Sequence, residues 1–222
     1  MVLYQRRIVC QLLVKLFAIV LIVLHLSSCN VFSNNEILPY YNSQDLTPNW
    51  NTKKEHRITA FNFVDQNGKN FGSKSLKDKI YIANFFFTKC RNICPKMTTN
   101  MHLLQEAFKN DTSILLLSHS VTPETDDVKV LNKYALDNKV DAAKWHLLTG
   151  DKKAIYGLAK QQYFAGDTVG YYQSGNEFLH TENFILVDQH RRIRGVYNGT
   201  LPVEINRIIE DIAILKSEIT SF

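Results

Sequence analysis

Residues 79–87 read Lys-Ile-Tyr-Ile-Ala-Asn-Phe-Phe-Phe, the most apolar strand-like run of the chain. Apolar on successive rather than alternate positions, it must be covered on both faces, which predicts a central strand between two packed layers. It leads directly into Phe87-Thr88-Lys89-Cys90-Arg91-Asn92-Ile93-Cys94-Pro95-Lys96. The end of a central strand is where α/β sheets place their sites. Pro95 suits the first position of a following helix, and Met97, Met101, Leu103, Leu104 and Phe108 give that helix its apolar stripe.

The flanking sequence extends the pattern. Ile58–Val64 alternates like a half-buried strand and turns at Asp65-Gln66-Asn67-Gly68, which lacks the further acidic ligands of a calcium loop. Ile114–Leu117 predicts a second buried strand. Thr125 is expected to cap a helix with Val128, Leu131, Tyr134 and Ala135 on its core face, followed by a strand at Trp145–Leu148 and a helix from Asp151. After a glycine-punctuated stretch, Gly166 to Gly175, come strands at 183–187 and 193–197 and a helix from Pro202 through Ile205, Ile208, Ile209, Ile212 and Leu215. Strands alternating with helices, then a hairpin and a closing helix, describe one α/β domain with a mixed sheet over residues 58–222.

The N-terminal segment reads as an export signal. Arg6, Arg7 and Lys15 give a basic start, Leu16 to Leu24 an apolar core, and Leu26-Ser27-Ser28-Cys29 places small residues ahead of a cysteine, as a bacterial lipoprotein signal does. Residues 1–28 are therefore expected to be removed and Cys29 lipidated. An uncleaved membrane anchor is the alternative, although Leu12–Leu26 falls short of the roughly 20 apolar residues of a spanning helix. Residues 29–57, polar and asparagine-rich, are expected to form a flexible tether of roughly 30 Å root-mean-square span; an arm packed on the domain through Tyr40, Tyr41 and Trp50 is the competing arrangement.

The signal carries three basic residues and no acid, so the formal charge of +5 over 222 residues becomes +2 over the remaining 194. That balance does not point to a nucleic-acid binder. The dense basic spots, Lys152-Lys153 and Arg191-Arg192-Ile193-Arg194, read as a solvated helix start and hairpin turn.

With Cys10 discarded and Cys29 lipidated, Cys90 and Cys94 are the only thiols left of the four. A lone dithiol in an exported protein is a structural disulfide, a redox pair or a metal site. A disulfide across so short a loop adds little stability. Four-residue spacing puts both sulfurs on one face if the segment is helical, and a helix from Pro95 is expected to aim its free amides at Cys94, favouring the thiolate.

Phe-Phe-Thr-Lys-Cys-Arg-Asn-Ile-Cys-Pro resembles the Phe-x-x-Cys-x-x-x-Cys-Pro motif of the Sco/SenC family, copper chaperones that help assemble cytochrome c oxidase. The segment Phe178-Leu179-His180-Thr181-Glu182-Asn183-Phe184-Ile185-Leu186-Val187-Asp188 resembles that family's histidine-bearing strand. The likeness runs from about Ile58 to the C-terminus. It implies a thioredoxin-like fold with a mixed central sheet flanked by helices, and one copper held by Cys90, Cys94 and His180. Two thiolates and an imidazole suit Cu(I), with Cu(II) as the alternative state, whereas a structural zinc usually takes a fourth protein ligand.

The implied protein is a membrane-tethered copper chaperone of the bacterial cell envelope, periplasm-facing. Its partners would be the membrane, through the lipid, and the copper-accepting subunit of a respiratory oxidase. The family pattern Val-Asp-Pro with Asp three residues on is broken here: Thr122 stands for the first aspartate, while Asp126 fits the second. His119 beside that loop is a weaker ligand candidate. Met97, Met101 and His102 fit a core stripe, and Asp65, Glu182 and Asp188 fit turns. The competing function is a thiol-disulfide oxidoreductase cycling Cys90 and Cys94. Dedicated thioredoxin-like oxidoreductases carry CxxC and a facing cis-proline; this chain has CxxxC, and no proline lies between Gly166 and Thr200.

Overall fold

The structure, a computed structural model, describes residues 37–51, 55–166 and 181–220. Cys10, Cys29, His180 and most of the glycine-punctuated stretch lie outside them. Among the described residues no helix is long and apolar enough to cross a membrane.

The run that anchors the sequence pattern is strand β5, Ile80–Phe86, every residue of which is buried. Before it come a short hairpin, β1 (Tyr40–Tyr41) with β2 (Pro48–Asn49), and a second, β3 (Asn62–Asp65) with β4 (Asn70–Gly72). After it come helix α1 (Cys94–Ala107), β6 (Ile114–Ser120), α2 (Val128–Asp137), β7 (Trp145–Thr149), α3 (Lys152–Gly157) continuing as a π turn to Gln162, β8 (Asn183–Val187), β9 (Ile193–Asn198) and α4 (Pro202–Thr220). The main sheet has the order β4-β3-β7-β6-β5-β8-β9. Strands β5, β6 and β7 are parallel, and the strands on either side of that block pair antiparallel.

Successive side chains of β5 feed two separate cores. Ile80, Ile82 and Phe86 join α1, α4, Leu131 and Trp145 on one face; Tyr81, Ala83 and Phe85 join Phe63, Ile155, Tyr163 and Ile185 on the other. This double coverage explains the unbroken apolar run. Phe63 and Val64 do lie in a strand, but Ile58 to Phe61 stand outside the ladder, Ile58 fully buried with its amide bonded to the Arg191 carbonyl at 2.9 Å. The cap of α2 is Asp127, whose carboxylate accepts from the Val130 amide at 2.8 Å; Thr125 belongs to the preceding turn, its amide on the Thr122 carbonyl. Asp151 caps α3 as its sequence predicts.

Two expectations fail for one shared reason. Residues 37–51 are not a free coil: Leu38 and Tyr41 are buried, and the Leu38 amide donates to Glu218 of α4 at 2.8 Å. Nor is Arg194 part of a solvated basic turn. A bulge in β9, where Leu186 stands opposite Gly195 but Val187 opposite Ile193, leaves Arg194 without a ladder partner, and its side chain is fully buried. Its guanidinium donates to Glu218 at 2.8 and 2.9 Å and to the carbonyls of Leu38 at 2.7 Å and Pro39 at 3.1 Å, and stacks on the Tyr40 ring 4.2 Å away. A planar five-donor group is suited to satisfying two backbone carbonyls and a carboxylate at once. The arm is packed on the domain because this arginine holds it there.

Removing one partner of a buried charge pair is more damaging than removing both. Arg194→Met should therefore lower stability by about 3 kcal/mol in urea unfolding and expose residues 37–51 to proteolysis, while Arg194→Met with Glu218→Leu should recover part of the loss. An unfolding midpoint unchanged in the single variant would contradict this account of the arm.

Candidate metal centre

Strand β5 delivers the chain to the cysteine loop, and the loop is fixed from outside by one carboxylate. Asp126, fully buried, accepts from the Thr88 amide at 3.1 Å, the Thr88 hydroxyl at 2.6 Å, the Ser120 hydroxyl at 2.6 Å and the Thr122 hydroxyl at 3.0 Å. A buried carboxylate is tolerated when its lone pairs are filled in this way. Thr88 lies two residues before Cys90, so the β6–α2 loop sets the position of the pair. Thr122, the departure from the family pattern, supplies one of the four donors. Sequence alone carries no signal that would single out Thr88.

Helix α1 begins at Cys94 with Ile93 at the N-cap, and no side chain of the usual capping type serves it. The Cys90 sulfur takes that role, accepting from the Cys94 amide at 3.5 Å. Cys90 is partly exposed and Cys94 buried, both as free thiols. Burial works against a thiolate at Cys90, yet the hydrogen bond from Cys94 and the amides of Cys94, Asn92 and Ile93 together bring its pKa below the ordinary thiol value. Cys94 goes the other way: burial, above all, pushes its thiol up to about 12, and the hydrogen bond to and charge of Cys90 add to this against the opposing Phe87 amide. The free amides thus serve Cys90, not Cys94 as the helix start at Pro95 led one to expect, because the helix begins one residue earlier and Cys94 points into the core with Phe86, Met97 and Met101.

Met97 and Met101 are core residues, 1% and 0% exposed, and His102 lies edge-on to the Trp145 ring. His119 sits on the opposite face of the sheet from Cys94, enclosed by Phe61, Phe63, Phe85 and Tyr163 with both ring nitrogens unpartnered, so it is not part of the site. Asp65 binds the amides of Asn67 and Lys69, Glu182 binds Asn198, and Asp188 binds the amides of His190 and Arg192, all turn or hairpin roles. His180 lies outside the described residues. Strand β8, which starts three residues later, runs antiparallel to β5 with Ile185 opposite Ala83, which brings its start to the cysteine end of the sheet. Among the described residues no three Cys, His, Asp or Glu side chains converge on a metal position.

A mixed sheet whose central strand hands a dithiol to a helix N-terminus is a thioredoxin-like domain with a reactive or metal-holding pair. Comparison with known proteins gives the family. The sequence pattern of SCO1/SenC matches residues 50–216. A curated relative, the SCO1 protein homolog of Bacillus subtilis, is 32% identical over 159 residues, 71% of this chain and 81% of that protein. A SCO1/SenC family lipoprotein from Bacillus anthracis has a solved structure with TM-score 0.64 at 30% identity, covering 73% of this chain and 96% of that one. BsSco, described as having a disulfide switch and as a member of the Sco family of cytochrome c oxidase assembly proteins, matches with TM-score 0.62 at 30% identity over 73% and 95%. A copper-bound ScoI of Bradyrhizobium japonicum shares the fold at 24% identity and TM-score 0.55, over 69% and 98%. The chain belongs to the SCO1/SenC family.

Two pH effects follow. A pulse of iodoacetamide near neutral pH should label Cys90 faster than Cys94 by about tenfold or more, read by mass spectrometry of the two peptides, since the thiolate is the reactive form; equal labelling would contradict the split. His119, whose pKa burial lowers from 6.5 to about 3, stays neutral in the fold while the unfolded chain takes up its proton. Its contribution is therefore fully present above pH 6.5 and falls away towards pH 3, by roughly 2 kcal/mol at pH 5. His119→Leu should flatten the acid limb of stability in denaturant unfolding; an unchanged slope would contradict this assignment.

Proposed function

We propose that this chain is a membrane-tethered copper chaperone that binds one copper through Cys90, Cys94 and His180 and matures the copper centre of a respiratory oxidase. The observation that carries the reading is the cradle at Cys90: a partly exposed sulfur, held towards thiolate by three amides, with the second sulfur four residues on at the start of helix α1. Copper is the cargo. Two soft sulfurs suit Cu(I), and a third ligand from a separate segment leaves an open side from which a partner thiolate could take the metal. His180 would be that ligand, three residues ahead of a strand whose start lies at the cysteine end. The buried Cys94 thiol would lose its proton on binding, so copper uptake should release protons.

The anchor is proposed from Ser28-Cys29: the lipid would attach at Cys29 and hold the domain, periplasm-facing, to a membrane of the bacterial cell envelope. Cys29→Ser should leave an unprocessed precursor, and mass spectrometry finding an intact Met1 on the membrane-bound wild type would refute the anchor.

The unequal sulfurs favour one second reading, a thiol-disulfide reductase that attacks with Cys90 and resolves with Cys94. The two readings separate at His180. Cys90→Ser and Cys94→Ser should each abolish stable copper and oxidase maturation. His180→Ala should keep weakened Cu(I) binding, lose the Cu(II) form with its thiolate-to-copper absorption, and fail to mature the oxidase. Normal oxidase activity in a His180→Ala strain beside failure of both cysteine variants would establish the reductase reading instead.

A further inference from the structure

The end of the sheet opposite the cysteines carries two exposed apolar side chains, Ile37 and Trp50, 55% and 61% exposed. They are coupled, since the Trp50 indole N–H donates to the Ile37 carbonyl at 3.0 Å. An indole whose one polar hydrogen is already satisfied by the protein leaves water at little cost. Strand pairing fixes where the pair lies. Tyr81, at the start of β5, stands opposite Val187, and Val187 opposite Ile193. Arg194, which grips the carbonyls of Leu38 and Pro39, is thus a strand length, roughly 20 Å, from the end of β5 that leads to the cysteines.

Two further facts point to what covers this end. The loops entering β5, β6 and β7 and the β8–β9 turn, residues 73–79, 108–113, 138–144 and 188–192, contain eight Lys or Arg against four Asp; with Lys144 buried and Arg192 paired to Asp188 and Glu55, six Lys or Arg remain against three Asp. Ile37 also follows Cys29 by eight residues, a span of at most about 28 Å, and Leu38 is fixed at both its amide and its carbonyl. A lipid on Cys29 would hold this end of the domain within that reach of the bilayer.

We propose that Ile37 and Trp50 form a docking patch for an anionic phospholipid bilayer, seated at headgroup depth with the basic loops facing the lipid phosphates and the cysteine end turned away. Tryptophan is the residue favoured at that depth, and lysine and arginine near it gain from anionic headgroups. The tether would then act as a short, fixed stand rather than a free leash. The inference rests on the lipid-anchor reading of Cys29.

The chain has two tryptophans, and the other, Trp145, is buried. The full-length lipidated protein is reconstituted in phosphatidylcholine and phosphatidylglycerol vesicles with brominated acyl chains, and Trp50→Phe assigns the Trp50 emission by difference. The Trp50 component should be blue-shifted, lose most of its intensity to the brominated lipid and resist aqueous iodide, and the quenching should weaken in phosphatidylcholine alone. Emission quenched by iodide and untouched by bromine, in protein that floats with the vesicles, would overturn the patch and leave the anchor standing. Shielding from both quenchers would mean a protein contact in its place and also overturn it. Equal quenching in both lipids would remove the basic loops from the proposal. Protein that fails to float would overturn the anchor reading, and the patch with it.

Discussion

Helix α1 starts without a capping side chain of the usual kind, and the sulfur of Cys90 fills the gap. Much of the site's chemistry depends on that substitution. Unpaired amides at a helix start need an acceptor, and a sulfur that meets this need is drawn towards its charged form. The same turn directs Cys94 into the core, so one sulfur is poised and the other protected. The arrangement holds only if the loop before it is fixed, and the four donors around Asp126 fix it. A parallel β5–β6 pair brings the two loops together, since both strands end on the same side with Phe86 opposite Ser120.

The sheet was legible because burial on both faces leaves an unmistakable mark. Ile80–Phe86 and the strands at 183–187 and 193–198 lie where the apolar pattern puts them. The dithiol was legible too, as the only thiols beyond the N-terminal segment. What the pattern could not show were polar groups whose partners are distant in sequence. Arg194 looks like one more charge in a basic turn until Glu218 and the Leu38 and Pro39 carbonyls, far along the chain, surround it. His119 looks like a ligand candidate until the rings of Phe61, Phe63, Phe85 and Tyr163 close over it. The more acidic sulfur was misassigned because a one-residue shift in helix start changes which thiol meets the amides, and boundaries are the least certain part of any reading by periodicity.

The two ends of the sheet are built differently. At the C-terminal end of β5, loops from two parallel strands hold a dithiol whose sulfurs differ in exposure and acidity. At the opposite end a buried arginine anchors the N-terminal arm, where the chain leads back to Cys29. On the proposed reading, with a lipid at Cys29 and a membrane-bound oxidase as partner, this division would hold the site away from the anchor. On the proposed reading the third ligand arrives from a different segment than the sulfurs, so the metal would bridge two parts of the fold and its release would require only one of them to move.

The proposed ligand set of Cys90, Cys94 and His180 can be read by X-ray absorption at the copper edge of the reduced, copper-loaded protein. Cu(I) should show two sulfur neighbours and one nitrogen, with the nitrogen shell lost in His180→Ala and the sulfur shell reduced in either cysteine variant. A nitrogen shell that survives His180→Ala, or copper bound without sulfur in the wild type, would contradict it.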